Sequence, residues 1–134
     1  WAMGDRIDRH LALRALHMAA QGRRPPKGLI HHSDRGSQYA SDDYQNAMKA
    51  YGMTCSMSRK GNCWDNAPME SFFGTLKTES LHHYRFTTRE QARQVVFEYI
   101  EVFYNRIRRH AKIGNQVPAD FAYQFYANRQ QSAA

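Results

Sequence analysis

The sequence predicts an α/β domain that contains a parallel pair of strands. Two short β-rich runs, 29–33 and 53–57, flank a segment of helical periodicity in which Tyr44, Met48 and Tyr51 share one face. A helix between two strands of one sheet normally makes a right-handed parallel crossover. Other helical segments give the order helix, strand, helix, strand, helix, helix. Two strands make a small sheet for a chain of this size, so the visible sheet is expected to be incomplete.

Composition indicates one folded domain with a basic surface. The 134 residues are 42% hydrophobic and 13% aromatic, which is enough to bury a core and too apolar for a disordered chain. The net charge is +7, from 19 Lys+Arg against 12 Asp+Glu. This excess of positive charge favours a polyanionic partner, with nucleic acid as the first candidate.

No segment has the pattern of a membrane anchor. No apolar run approaches the ~20 residues that a membrane helix needs, and the sequence does not begin with a signal-peptide pattern. The cysteines, Cys55 and Cys63, match no zinc or disulfide spacing. Reduced thiols are typical of the cytosol, so a cytoplasmic protein without a membrane partner is expected.

The first helix is expected to be capped by Asp5 and to run to about Ala20, with Ile7 and Leu11 on its buried face. A basic loop rich in glycine and proline follows it. The strand at 29–33 is expected to be buried, because it is apolar and lies between turn signals.

Segment 63–77 is predicted to form the helix around which the chain is organised. Asp65 or Asn66 can cap its free N–H groups, and Pro68 lies in the first turn, where a missing N–H costs little. The apolar residues fall at i, i+3, i+4 and i+7 and are expected to be buried: Met69, Phe72, Phe73 and Leu76.

Glu70 lies about one turn inside this helix, on a second face that it shares with Lys77. Gly74, between them, leaves the surface open. A carboxylate on a rigid helix with an ammonium group beside it suits a metal ion and a phosphate. The alternative is an ordinary solvated Glu and Lys on an amphipathic helix.

The C-terminal part is predicted to be helical. Thr87 and Thr88 are followed three residues later by Glu90 and Gln91, which is capping-box chemistry. A long apolar stripe follows, formed by Ala92, Val95, Val96, Tyr99 and Phe103. After a basic turn that suits the helix dipole, residues 119–127 form a last short helix. We expect a core domain in residues 1–112 and a tail in residues 113–134.

Asp34 follows the first strand directly, where α/β sheets place ligand groups. The alternative is a turn residue, since Asp-x-Gly is ordinary turn chemistry. One helix, one strand and one loop separate Asp34 from Glu70, and such a path can return the helix start to the strand end. Carboxylates that meet at one point repel each other unless a cation lies between them, and hard oxygen ligands select Mg²⁺ or Mn²⁺.

Two segments carry a specific resemblance. Residues 32–39 (HSDRGSQY) and 56–73 (SMSRKGNCWDNAPMESFF) resemble the integrase-core signature of bacterial insertion-sequence transposases, closest to the second-reading-frame (OrfB) product of the IS-three family. Tyr99, Tyr104-Asn105, Arg109 and His110 resemble that family's C-terminal motif. The resemblance extends over almost the whole chain.

The resemblance implies an RNase H-like, retroviral-integrase-like fold, with Asp34 and Glu70 as the second and third acidic residues of an Asp-Asp-Glu triad. The first Asp belongs on a strand that would precede or include Trp1, so we expect an N-terminally truncated fold that lacks its first strands. Asp5 and Asp8 fall at a helix start, where capping is their expected role. The implied reaction is Mg²⁺-dependent nicking of transposon ends, followed by strand transfer into target DNA.

Several other residues are candidates for DNA contact. By the resemblance, Lys77 contacts DNA at the element end. The remaining candidates are Asn66, Arg59, Lys60, Arg106 and Arg109. Basic side chains on a loop or helix end suit phosphate groups, although a solvated loop and a charged helix end are equally ordinary. His31 and His32 are adjacent on a strand, so they point to opposite faces and cannot grip one metal together.

Two other functions stay open. One is a non-catalytic DNA-binding or dimerisation fragment that lacks the first Asp, and the other is an RNase H-like nuclease that hydrolyses without joining strands. An exposed sheet edge recruits partners, so a homodimer or higher oligomer is expected, associated with the nucleoid when DNA is bound.

Overall fold

The computed structural model describes residues 1–59 and 63–131, with the side chains at 63, 64 and 129–131 left out of the description. The chain forms two compact units, Trp1–Ser71 and Phe72–Ala134. The α-helices are α1 (Arg9–Arg23), α2 (Ser37–Ala40), α3 (Asp42–Ala50), α4 (Ala67–Glu79), α5 (Arg89–Phe97) and α6 (Pro118–Gln131). The strands are β1 (Ile30–Ser33) and β2 (Thr54–Met57).

The first unit contains the predicted parallel pair of strands. Ile30 of β1 lies opposite Thr54 of β2, and the register continues to Ser33 opposite Met57. Helix α3 lies between the strands, as its amphipathic pattern predicted, and the short helix α2, which was not predicted, precedes it. Gly52 follows α3 with a φ of +68°, a left-handed conformation that glycine adopts at little cost.

The core of the first unit forms where α1 packs against α3. Leu16, Tyr44 and Met48 are 4%, 3% and 2% exposed. Tyr39 and Met53 are half-buried against this cluster. The apolar faces of α1 and α3 therefore pack together in one small core.

Two expectations for the first unit are wrong. Helix α1 begins at Arg9, because the Asp8 carboxylate accepts a hydrogen bond from the Leu11 N–H at 2.9 Å and caps the helix there. Asp5 is therefore not the cap, and Ile7 lies outside the helix and is 89% exposed. Strand β1 is also less buried than expected, with Ile30 68% exposed.

The exposure of Ile30 has a geometric cause. Its neighbour His31 contacts Tyr44 of α3, with Nε2 3.1 Å from the hydroxyl oxygen. Successive side chains of a strand point to opposite faces, so Ile30 points away from α3. The face that bears Ile30 has no covering layer over this residue within the described part of the chain.

In the second unit, α5 begins as the capping pattern predicted. The Thr88 hydroxyl accepts a hydrogen bond from the Gln91 N–H at 3.2 Å, and the Gln91 side chain accepts one from the Thr87 N–H at 3.1 Å. Val96 and Tyr99 are buried, as their positions in the apolar stripe indicated.

The predicted burial of the α4 stripe is only partly correct. Leu76 is buried and Phe72 is half-buried, with the Phe72 ring edge-on to the ring of Tyr104 at 5.1 Å. Met69 and Phe73 are 55% and 49% exposed, so the prediction is wrong for them. Only the i, i+4 row of Phe72 and Leu76 packs inward, which leaves the flanking residues at the surface.

The expected long helix after Thr88 is not a uniform α-helix. Helix α5 ends at Phe97, and a π-helix spans Glu98–Tyr104. The Asn105 N–H donates to the carbonyl of Ile100, five residues earlier, which marks the wider turn. Phe103 at its end is 39% exposed, although the continuous pattern predicted burial.

Helix α6 is longer than the predicted 119–127 segment. The division between residues 112 and 113 stays a prediction. None of the helices in the ranges 1–59 and 63–131 combines the length and apolar character needed to cross a membrane.

Candidate active site

Asp34 stands immediately after β1 with its carboxylate exposed. Its Oδ1 accepts a hydrogen bond from the Gly36 N–H at 2.7 Å, so the residue does form the turn that the alternative interpretation described. A Cβ atom on Gly36 would lie only 2.9 Å from this Oδ1. No hydrogen bond to the second oxygen, Oδ2, is formed by any described residue.

Glu70 lies in the first turn of α4, and its side chain is exposed. A carboxylate at this position interacts favourably with the positive end of the helix dipole. Within ranges 1–59 and 63–131, no donor binds its carboxylate. Both acidic candidates therefore have oxygens available for a ligand.

A buried serine connects the segments that carry these two acids. Ser58 directly follows β2 and is 4% exposed. Its N–H donates to the Ser33 carbonyl at 2.9 Å, next to Asp34. Its hydroxyl donates to Asn66 Oδ1 at 2.6 Å, one helical turn before Glu70. The start of the segment that leads into α4 is thus attached to the carboxyl end of the sheet.

Arg35 strengthens this connection. Its Nε donates to the Ser58 carbonyl at 2.8 Å, so the turn after β1 binds the residue after β2. Sequence reasoning missed both Ser58 and Arg35, because their hydrogen-bond partners lie in other segments of the chain. The available signal was the position of Ser58 directly after a strand that pairs with β1.

The two histidines of β1 point to opposite faces, as predicted. His31 contacts Tyr44, and burial lowers the pKa of His31 and raises the pKa of Tyr44 to about 12. On the other face, His32 Nδ1 lies 2.9 Å from Ser56 Oγ, and Nε2 lies 3.3 Å from Ser58 Oγ. His32 therefore belongs to the Ser58 connection.

Asp65 and Asn66 were the two predicted caps of α4, and Asp65 does not cap this helix. Its carboxylate accepts hydrogen bonds from the Arg59 backbone N–H at 2.9 Å and from Arg59 Nη2 at 3.2 Å. The hydrogen bonds from Arg59 lower the pKa of Asp65. Arg59, a candidate for DNA contact, thus already has an ion-pair partner. Lys60, a further candidate, lies outside the described residues.

The other candidates for DNA contact differ in how available they are. Asn66 directly precedes α4 and is half-buried with its Oδ1 bound by Ser58, so it is not a fully free group, and its role as the helix cap stays a prediction. Lys77 on α4 is exposed, and so are Arg106 and Arg109. No described residue forms an ion pair with any of these three cations.

The acidic residues fit a hard divalent cation by their chemistry. Nowhere in the described part of the chain do three His, Cys, Asp or Glu side chains gather closely enough to hold a metal ion. Mg²⁺ needs only one or two protein carboxylates, because water and phosphate oxygens complete its octahedral shell. Asp34 and Glu70 supply ligands of this kind. Asp8 is occupied as the cap of α1, as expected.

Comparison with known proteins identifies the family. Two models, both described as integrase core domain, match residues 1–63 and 70–125. A 31 kDa insertion element IS600 protein of Shigella sonnei is 58% identical over 126 residues, which are 94% of this chain and 46% of that protein. The transposase InsF for insertion sequence IS3A of Escherichia coli K12 is 48% identical over 121 residues, 90% of this chain and 42% of that protein. The chain therefore spans less than half the length of these relatives.

A solved structure shows the same fold. The matching chain comes from the cryo-EM structure of the simian T-cell lymphotropic virus intasome in complex with PP2A regulatory subunit B56 gamma. The TM-score is 0.64 at 19% identity, over 80% of this chain and 37% of that chain. The predicted RNase H-like, retroviral-integrase-like fold is confirmed, and the chain belongs to the integrase-core family of IS3-type DDE transposases.

Proposed function

We propose that this chain is part of the catalytic core of a DNA transposase that nicks transposon ends and transfers strands by Mg²⁺- or Mn²⁺-dependent phosphoryl transfer. The observation that carries the proposal is the connection through Ser58. It attaches the segment leading to Glu70 to the sheet end that bears Asp34. Both acids are exposed, and each has at least one oxygen without a partner among the described residues.

In this proposal Asp34 and Glu70 hold the divalent ion as the second and third acids of the triad. When bound, such an ion activates an attacking oxygen and stabilises the leaving oxygen of a phosphodiester. The hydrogen bond from Gly36 holds one oxygen of Asp34 and directs the carboxylate. The first turn of α4 holds Glu70 on a rigid backbone.

The proposed DNA surface uses cations that have no acidic partner in the described part of the chain. Lys77, Arg106 and Arg109 are exposed, and the net charge of +7 adds a general attraction to phosphate. The relatives' names include a transposase, and the structural neighbour is part of an intasome. DNA binding and assembly into an oligomer are therefore part of this proposal.

The test is calorimetric titration of Mn²⁺ into the chain and into three variants. Binding is expected in the parent chain and is expected to be lost in Asp34→Asn and in Glu70→Gln. Glu90→Gln is the matched control, because Glu90 is also an exposed acid in the first turn of a helix. Absence of binding by the parent chain, or equal loss in the Glu90 variant, would contradict the proposal.

A non-catalytic DNA-binding role is the second candidate. It is favoured by the exposed cations Lys77, Arg106 and Arg109, which can bind DNA phosphate without a metal ion. In this case the chain binds a transposon-end duplex with the same affinity whether or not Mn²⁺ is present. A nuclease is distinguished by offering a pre-cut 3′-OH end, since only a transposase yields a joined product.

A further inference from the structure

We propose that Ser58 is a positioning residue for the candidate acidic pair, and that His32 orients its hydroxyl group. Its role in catalysis rests on the proposed function, whereas the hydrogen-bonded connection is a property of the first unit alone. Ser58 binds three segments at once: the end of β1, the turn after it, and the start of the segment that leads into α4. The backbone groups of Ser58 make the bonds to Ser33 and Arg35, and its hydroxyl oxygen also lies within 3.3 Å of Asn66 Oδ1, the Ser33 carbonyl and His32 Nε2. A buried hydroxyl with these neighbours fixes a geometry, because removing it leaves its partners unsatisfied.

The direction of each hydrogen bond follows from counting protons. The Ser58 hydroxyl has one proton and three neighbours: Asn66 Oδ1 at 2.6 Å, the Ser33 carbonyl at 3.2 Å and His32 Nε2 at 3.3 Å. The shortest contact takes the proton, so Ser58 donates to Asn66. For the contact with His32 Nε2 to be a hydrogen bond as well, Nε2 carries a proton and donates it to Ser58 Oγ.

The same count fixes the other side of the His32 ring. A neutral imidazole that is protonated at Nε2 has a bare Nδ1, which accepts a hydrogen bond. Ser56 Oγ lies 2.9 Å from Nδ1 and supplies the donor. The bonds therefore point one way, from Ser56 to His32, to Ser58 and to Asn66. A chain of aligned hydrogen bonds is stronger than isolated ones.

The chain ends where it affects the position of Glu70. In a regular α-helix the N–H of Glu70 donates to the carbonyl of Asn66. Because Ser58 holds the Asn66 side chain, it also restrains the backbone from which the first turn of α4 starts. The opposite end of the connection is Ser33, whose neighbour is Asp34. Ser58 thus restrains both backbones that carry the candidate acids.

The experiment compares Ser58→Ala with Ser56→Ala, a serine-to-alanine control that removes only the outer bond of the chain. The first measurement is hydrogen exchange of the Glu70 amide. Exchange is expected to be about tenfold faster in the Ser58 variant, since one hydrogen bond is lost. It is expected to stay within about twofold in the Ser56 variant, whose Asn66 contact is intact. Slow exchange of the Met48 amide in α3 checks that each variant is folded.

A second pair of variants tests the orientation of the hydroxyl by His32. The amide group of Gln can replace the Nε2 donor, whereas the shorter Asn reaches only as far as Nδ1. His32→Gln is expected to keep slow Glu70 exchange, and His32→Asn is expected to lose it. In the parent chain, the imidazole nitrogen shifts are expected to be those of the Nε2–H tautomer. An Nδ1–H tautomer, or equal exchange in the two variants, would overturn the role of His32.

Asn66→Ala removes the same bond from its other side. If that bond is what matters, the Ser58/Asn66 double variant exchanges no faster than either single variant. Additive effects, or Ser58→Ala exchanging like Ser56→Ala, would overturn the proposal.

Mn²⁺ titration distinguishes a failure of this proposal from a failure of the proposed function. Mn²⁺ binding that is weaker in Ser58→Ala than in the parent chain, and unchanged in Ser56→Ala, supports a positioning role. A parent chain with the expected exchange pattern but no Mn²⁺ binding refutes the metal-dependent function and still supports the connection.

Discussion

The guanidinium group of Arg108 binds the carboxylate of Glu79 through two parallel hydrogen bonds, from Nε to Oε2 at 2.9 Å and from Nη2 to Oε1 at 2.8 Å. The Tyr99 hydroxyl donates to the same carboxylate at 2.7 Å. Arg108 also lies over the ring of Tyr104, at 5.7 Å from its centroid. Of the three arginines at 106, 108 and 109, this one therefore has a structural role in the second unit, and the other two stay candidates for phosphate contact.

Arg108→Lys is expected to lower the free energy of unfolding by about 1 kcal/mol, because lysine cannot reproduce the two-pronged geometry. The loss is modest because water screens the pair, whose Arg108 and Glu79 side chains are 28% and 35% exposed. Urea denaturation measures it. Arg106→Lys, which changes an exposed arginine without an acidic partner among the described residues, is the control and is expected to leave stability unchanged. Equal losses in the two variants would contradict the structural role of Arg108.

Stability is expected to fall in acid through Glu79. In the folded chain, hydrogen bonds from Arg108 and, to a smaller extent, from Tyr99 lower the pKa of Glu79 below its ordinary value of 4.5. The unfolded chain therefore takes up this proton first, and stability is lost as the pH falls from about 4.5 through the folded-state pKa. Melting temperature against pH shows this decline.

Glu79→Gln is expected to reduce the acid slope without abolishing it, because the pKa values of Asp8 and Asp65 are also lowered. Glu90→Gln should keep the parent slope. The assignment to Glu79 is wrong if its variant retains the whole slope.

Gly74→Ala and Gly22→Ala are expected to stabilise their helices by about 0.5–1 kcal/mol each. A Cβ atom at either position meets nothing within 4 Å, so neither change introduces a clash. Only Gly74 lies between Glu70 and Lys77, so only its variant is expected to weaken DNA binding, by a few-fold in fluorescence anisotropy. Unchanged affinity in both variants would show that DNA does not approach this face of α4.

Gly36→Ala is expected to weaken Mn²⁺ binding by displacing Asp34. The added Cβ atom would lie 2.6 Å from Gln38 Nε2 and 2.9 Å from Asp34 Oδ1. Because both are side-chain atoms, they can move, and the fold is expected to survive with the carboxylate turned away. Gly22→Ala is the control in the same titration. Full Mn²⁺ affinity in the Gly36 variant would mean that the turn does not direct Asp34.

Features set by local sequence were predictable. The apolar spacing of α3 and the Thr88 cap followed from short-range patterns, because capping bonds and amphipathic faces involve residues close in sequence. The parallel pairing of the strands is a longer-range feature, and it followed from the rule that a helix between two strands of one sheet makes a parallel crossover. The resemblance in 32–39 and 56–73 identified the integrase core, and the family models confirm it.

Features set by distant contacts were not predictable. The exposure of Met69 and Phe73 depends on which row of α4 packs inward. The role of Ser58 depends on partners at Ser33 and Asn66, which belong to different segments. Arg59 was a candidate for DNA contact because it is basic, yet its side chain binds Asp65. Periodicity contains no information on such pairings, because they arise only when the chain has folded.

The π-helix at Glu98–Tyr104 also sets the rotational phase of the residues that follow it. Each wider turn changes the direction in which later side chains leave the helix axis. Tyr99, inside the π-helix, and Arg108, beyond it, nevertheless reach the same Glu79 carboxylate. A chain shortened by one uncharged residue within this segment would keep its net charge, yet direct Arg108 elsewhere. The contact with Glu79 therefore depends on the number of residues in that segment as much as on their identity.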